Sequence, residues 1–156
     1  MAISVRSDGF SSGERIPLRY SQDGENVSPP LRWEGVPTNA VELALIVDDP
    51  DAPRAQPFVH WLLYGIPAHE EGLPEGVPKG PETGWAGAVQ GTNDAGHQGW
   101  DGPAPPRGHG VHHYRFTLYG LSPGDPLPSG LDKPGLLRAI EGRILDSGEV
   151  VGTYER

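Results

Sequence analysis

A chain of 156 residues with 12 basic and 21 acidic side chains, for a formal net charge of -9, lacks the basic footprint of a nucleic-acid binder and has no broad grip on an anionic membrane surface. It has no cysteine, so it offers no disulfide framework, no thiolate nucleophile and no cysteine-ligated metal, and a cytoplasmic home is expected. Its 23 glycines and 18 prolines fall between apolar runs rather than in a repeat, and four tryptophans demand a core, so residues 1–156 read as one all-β domain with many turns.

In chain order, the opening MAISVRSDGF holds no apolar targeting segment, and no run is long enough for a transmembrane segment. Residues 15–20 read as a short strand, followed by the turn-rich SQDGENVSPP, and residues 31–33 as another. The run 41–47, VELALIV, sets Val41, Leu43, Leu45 and Val47 on one face. Its other face is only partly polar, so the strand is expected to be central. Residues 58–66, FVHWLLYGI, are apolar on both faces and also central, with His60 sharing a face with Phe58, Leu62 and Tyr64. The long, weakly patterned connection 67–98 is expected to be functional or to wrap the surface, with a short strand at 86–90. Residues 111–121 alternate cleanly, with His112, Tyr114, Phe116 and Leu118 on one face and His113, Arg115, Thr117 and Tyr119 on the other. A helix starts near Asp132, which caps it, with Pro134 in the first turn and an apolar stripe of Leu136, Leu137, Ile140 and Ile144. Asp146-Ser147-Gly148 stops it, and residues 149–154 form the closing strand.

Two separated segments carry the chemistry. In VDDPDAPRAQPFVHW, Asp48, Asp49 and Asp51 end an apolar strand, and the chain returns to His60. In GWDGPAPPRGHGVHHYRFTLYGL, a proline- and glycine-rich loop runs into the strand that opens with His112. A carboxylate beside an imidazole fixes its tautomer and stabilises the imidazolium. An imidazolium with free backbone N–H groups holds a phosphate-sized anion by charge-assisted hydrogen bonds. Gly108, His109 and Gly110 offer such N–H groups, whereas Pro105 and Pro106 offer none and shape the wall. Tyr114 supplies a phenolic donor or an aromatic wall. The plainer readings are that a lone histidine on an apolar face is a satisfied core residue and that the aspartates are turn formers. Asp51 is read as such a turn former and brace to the loop, Asp48 as surface, His109 as guarding the mouth, His113 as facing away, and His69 and His97 as solvated. His109, His112 and His113 read H-x-x-H-H, but strand neighbours point apart and the flanking glycines argue against a helix, so no metal and no cofactor is expected.

On these residues the chain resembles the phosphatidylethanolamine-binding protein family, also called Raf kinase inhibitor-like proteins. The signature D-P-D-x-P followed by a histidine matches Asp49, Pro50, Asp51, Pro53 and His60. The signature G-P-x-P-P-x-G-x-x-x-H-x-Y matches Gly102, Pro103, Pro105, Pro106, Gly108, His112 and Tyr114. DGENVSPPLRW looks like the family's N-terminal signature, and LPEGVP and GTNDAGHQGW look like its bacterial and archaeal branch. The resemblance implies a β-sandwich of two antiparallel sheets with one or two peripheral helices. It implies a pocket lined by Asp49, His60, Pro105, Pro106, His112 and Tyr114, to which the backbone reading adds Gly108 and Gly110, with Asp51 and Pro53 in support. It further implies a binding module for phosphate esters, such as phosphoethanolamine head groups or phosphorylated side chains, that modulates a kinase or another protein partner. Bacterial relatives are commonly dimeric, so a homodimer is implied by the resemblance alone. Ala104 stands where bacterial relatives often carry cysteine, which removes a thiol from the rim. The alternative is a hydrolase or lyase that uses Asp49, His60 and His112 on a phosphate or acyl ester. With no cysteine, and no serine in either signature, it would have to activate a water.

Overall fold

Period-two alternation of apolar residues closes two antiparallel sheets over one another in a computed structural model that describes residues 2–156. The elements are β1 (Ser4–Arg6), β2 (Leu31–Glu34), β3 (Glu42–Asp49), β4 (Phe58–Pro67), β5 (Gly72–Leu73), β6 (Val89–Gln90), β7 (His112–Leu121), α1 (Lys133–Ile140) and β8 (Ile144–Tyr154). The small sheet runs β1-β2-β5 and the large one β6-β4-β3-β7-β8. The main core lies between them, with Ile3, Val5, Leu31 and Trp33 facing Leu45, Val47, Trp61, Phe116 and Leu118. On the outer face of the large sheet, Ala44, Ile46, Leu62 and Tyr64 are covered by Leu136 and Ile140 of α1. β3 and β4 are therefore buried on both faces, which accounts for their nearly continuous apolar sequences. The architecture is a β-sandwich with one short peripheral helix. Among the described residues no helix is long and apolar enough to cross a membrane.

Four local expectations are corrected. Residues 15–20 do not form a strand: Arg15 makes only an isolated bridge to Thr153, and Leu18–Tyr20 is a 3-10 turn. Pro17, directly ahead of the turn, has no N–H to give a ladder. Val41 lies outside β3 and is exposed. The helix starts where expected, with the Asp132 carboxylate accepting from the Gly135 N–H at 2.8 Å, but it ends at Ile140. Gly142 adopts φ +79° and turns the chain out of the helix, so Ile144 opens β8 and is exposed.

The fourth correction bears on function. Along β3 and β4, Val47 pairs with Trp61, but the next residue, Asp48, pairs with Val59. His60 is thus the extra residue of a β-bulge. The bulge turns His60 and Trp61 both toward the sandwich interior, while Val59, Leu62 and Tyr64 pack on the outer face. His60 keeps company with Phe58, at 5.0 Å between ring centroids, and not with Leu62 and Tyr64.

β8 crosses the N-terminal segment very closely at Gly148, where a Cβ would stand 1.7 Å from the Ile3 carbonyl oxygen. Gly148→Ala should therefore cost at least about 1–3 kcal/mol in urea unfolding and expose the Ile3 amide, bonded to Ser147, to hydrogen exchange. Gly120→Ala, whose Cβ would meet the side chains of Ile3, Pro37 and Ala40 at 3.4, 3.5 and 3.7 Å, all ordinary contact distances, should cost clearly less than Gly148→Ala in the same measurement.

Candidate ligand-binding site

At one end of the sandwich, the ends of β3, β4 and β7 meet the two proline-rich loops around a cavity of ≈ 160 Å³. That is the share of about five water molecules in the liquid. Six of the eight predicted binding residues line it: Asp49, His60, Pro105, Pro106, His112 and Tyr114. Pro53, expected to support the loop, forms part of the wall, as does Ala104. Gln22, Ala52 and Phe58 also line it without having been predicted. Phe58 was findable, two residues before His60 on the same strand face. Gln22 had no local signal, because it reaches the site by bonding the far loop, its side chain donating to the Gly102 carbonyl at 3.0 Å.

Asp49 and His112 form the buried centre, at 3 % and 1 % exposure. The Asp49 carboxylate accepts from the Asp51 N–H at 2.7 Å on one oxygen and from His112 Nδ1 at 2.6 Å on the other. A carboxylate only accepts, so Nδ1 carries the proton and Nε2 is directed away from Asp49. His112 Nε2 lies 2.6 Å from His109 Nδ1, a contact absent from the sequence reading. The result is a continuous line from Asp49 through His112 to the exposed His109.

His60 is held differently. Its Nδ1 donates to the Asp101 carbonyl at 2.7 Å, which leaves Nε2 as its free edge. Burial pushes this imidazole below the ordinary histidine range, against the opposing pull of the Asp101 carbonyl and of Asp49. The Asp101 position is built by Asn93, whose side chain donates to the His60 and Gly99 carbonyls and to the Asp101 carboxylate. The same carboxylate pairs with His97 at 2.8 Å and Lys79 at 3.3 Å, so His97 is not merely solvated. Tyr114 stands edge-on to His60, with centroids 5.1 Å apart. Burial and then the Asp49 charge push its phenol well above the ordinary range, so it keeps its proton as a donor.

Gly108 and Gly110 do not line the cavity. The amides expected to hold an anion are in part spent: the Gly108 N–H donates to the Arg156 carbonyl and the His109 N–H to the Pro106 carbonyl. Both glycines have positive φ, +75° and +96°, and form a tight turn instead. Asp51 braces the loop by accepting from the His113 backbone and ring, both at 2.8 Å, on the opposite sheet face. Asp48 is not a surface residue. It is 5 % exposed and accepts from Arg115 at 2.8 and 3.1 Å and from Lys133 at 2.8 Å. Burial raises its carboxyl, but these hydrogen bonds outweigh burial and hold it below the usual range. Among the described residues, no three of His, Cys, Asp and Glu are placed to hold a metal ion.

A two-sheet sandwich with a proline-walled, histidine-bearing cavity at one end defines a small binding-module fold. A model of the phosphatidylethanolamine-binding protein family matches residues 6–155. A UPF0098 protein of Pyrococcus abyssi is 48% identical over 151 residues, covering 96% of this chain and 84% of that protein. The crystal structure of E. coli YbcL, described as a new member of the mammalian PEBP family, superposes with a TM-score of 0.90 at 32% identity, covering 100% of this chain and 99% of YbcL. A PEBP homologue of Chlamydia trachomatis superposes with a TM-score of 0.88 at 38% identity, covering 99% of this chain and 98% of that one. The chain belongs to the phosphatidylethanolamine-binding protein family.

The lowered His60 imidazole has a measurable signature. Unfolded, His60 takes a proton near pH 6.5; folded, it does so only in more acid solution. Its contribution to stability is therefore complete above that range and lost as the pH falls through it. In urea unfolding from about pH 8 to about pH 5, the stability gap between wild type and His60→Gln should narrow on acidification. Carboxylates common to both proteins cancel. A constant or widening gap would be incompatible with a buried neutral imidazole.

Proposed function

We propose that the protein is a binding module for phosphate monoesters, which takes a phosphoethanolamine-like head group with the phosphate in the cavity and the organic part outside. The reading rests chiefly on the size of the cavity together with its polar groups. A volume of ≈ 160 Å³ suits a phosphate-sized group and leaves no room for an acyl chain. Tyr114 offers a protonated hydroxyl that no described residue accepts from, and His60 and His112 supply two imidazoles in a space otherwise walled by prolines, alanines, Phe58, Gln22 and the His112-bound Asp49. The chain's charge of -9 repels anions at long range, so recognition falls to local groups: the Tyr114 hydroxyl as donor, and the imidazole edge of His112 once a proton is shared between it and the phosphate. A phosphorylated side chain of a partner protein presents the same chemistry, and modulation of such a partner, a kinase included, belongs to the same proposal.

The hydrolase or lyase reading has less support. No serine, threonine or cysteine lines the cavity, and the one lining hydroxyl, Tyr114, is held in its protonated form.

An amide-resolved NMR titration with phosphoethanolamine, inorganic phosphate and a phosphoserine peptide tests the proposal and separates its sources. Saturable shifts are expected at Asp49, His60 and residues 104–114. Tyr114→Phe should weaken binding by about 2–10-fold, and His112→Ala should abolish the shifts. No saturable shift at millimolar ligand would overturn the proposal. Release of inorganic phosphate, lost in His112→Ala, would replace binding with hydrolysis.

A further inference from the structure

Neither nitrogen of His112 is open to a ligand. Nδ1 donates to Asp49, and Nε2 meets His109 Nδ1 at 2.6 Å, with the two rings 4.8 Å apart and tilted by 56°. At that separation only one proton fits between the two nitrogens, because two N–H groups would face each other. Nδ1 of His109 therefore donates and Nε2 of His112 accepts when both rings are neutral. His109 is itself exposed and sits between two glycines of positive φ, on a turn tied to the body by the Gly108 bond to the Arg156 carbonyl. Nothing in its surroundings holds the imidazole as tightly as Asp49 holds His112.

We infer that His109 is an internal competitor: its ring occupies the Nε2 side of His112 until a phosphate oxygen displaces it, and the exchange takes up one proton. This rests on the phosphate reading of the cavity. The proton balance follows from the hydrogen bonds. His109 leaves with its Nδ1 proton, and His112 Nε2 is left with a lone pair. A lone pair facing a phosphate oxygen is repulsive, so a proton must join the site from solvent or arrive on the phosphate itself. The free Nε2 of the neutral His60 is a lone pair too, so the phosphate oxygens turn to His112 and Tyr114 rather than to His60, and one proton closes the balance. His112 then donates from both nitrogens, to Asp49 and to the ligand, as an imidazolium between two anions. The titratable and charged groups around this proton are Asp49 and, at longer range, Asp51 from the end of β3 and its loop, His60 from β4, Tyr114 from β7, His109 from the loop and, acting on Tyr114, Arg156 beside β8. Only the last is a permanent cation, and its guanidinium is paired with Asp23 at 2.6 Å.

Calorimetric titration of wild type and His109→Ala with phosphoethanolamine, in two buffers of different ionisation enthalpy at about pH 7.5, decides the matter, since the second phosphate pKa is about 6. Wild type should take up close to one proton per ligand bound. His109→Ala, with no ring to displace, should bind about 2–10-fold tighter and still take up the proton. Equal or weaker binding by His109→Ala would overturn the competitor role, and absence of proton uptake would overturn the exchange, while the phosphate reading would stand in both cases. Failure of both proteins to bind would overturn the phosphate reading and this inference with it. Long-range proton–nitrogen NMR of the free protein gives an independent check. Nδ1-protonated tautomers are expected at both His109 and His112, and a His109 present as a solvent-averaged ring would exclude the contact.

Discussion

A carboxylate withdrawn from water must have its oxygens satisfied on the spot, and Asp49 is the residue on which that requirement falls. Burying it unpaired would cost several kcal/mol. One oxygen takes the Asp51 amide and the other takes His112, so the end of β3, the loop after it and the start of β7 are fastened together through one side chain. The β3–β7 register carries the strands to this point in step, down to Asp48 opposite Arg115. The choice of tautomer at His112, and through it the contact with His109, follows from this carboxylate.

The two cavity imidazoles are held by opposite means. His112 leans on a charge, whereas His60 leans on the Asp101 carbonyl and is otherwise desolvated. That carbonyl is placed by residues 91–101, within which Asn93 uses both ends of its amide: the nitrogen reaches the His60 and Gly99 carbonyls and the Asp101 carboxylate, and the oxygen takes the Ala95 and His97 amides. The long connection that reads as weakly patterned is thus part of the scaffold of the site. Trp100, in the same stretch, packs against Trp61 and Phe116, which anchors the connection in the main core.

How much of this could be read in the sequence depends on the range of the interaction involved. β7 was legible because strict alternation needs only its own residues, and the start of α1 because Asp132 and Pro134 are local signals. The central positions of β3 and β4 showed in their two-faced apolarity. The end of α1 at Ile140, two residues before Gly142, was missed because Ile144 continued the apolar period past it. Asp48 read as a surface residue, since its partners Arg115 and Lys133 lie 67 and 85 positions further on. Six residues of the two signatures line the cavity, whereas Gly108 and Gly110 lie outside it, on a turn whose Gly108 amide is tied to the Arg156 carbonyl at the far end of the chain. The His109–His112 contact spans only three positions, but the turn that makes it depends on a bond to the far end of the chain.

The extra residue in β4 sets a rule about length rather than chemistry. Shortening β4 by one position ahead of Trp61 would remove this bulge and return the ladder around Asp48 to ordinary alternation, leaving the second irregularity, opposite Ala44, in place. It would also remove the position from which an imidazole reaches the cavity, since each neighbour would fall into ordinary alternation. A substitution along this strand changes one side chain, whereas a gain or loss of a single codon ahead of Trp61 moves every residue between it and the Asp-Pro-Asp turn. The spacing between the Asp-Pro-Asp turn and Trp61 should therefore be guarded more strictly than the identity of most residues within it.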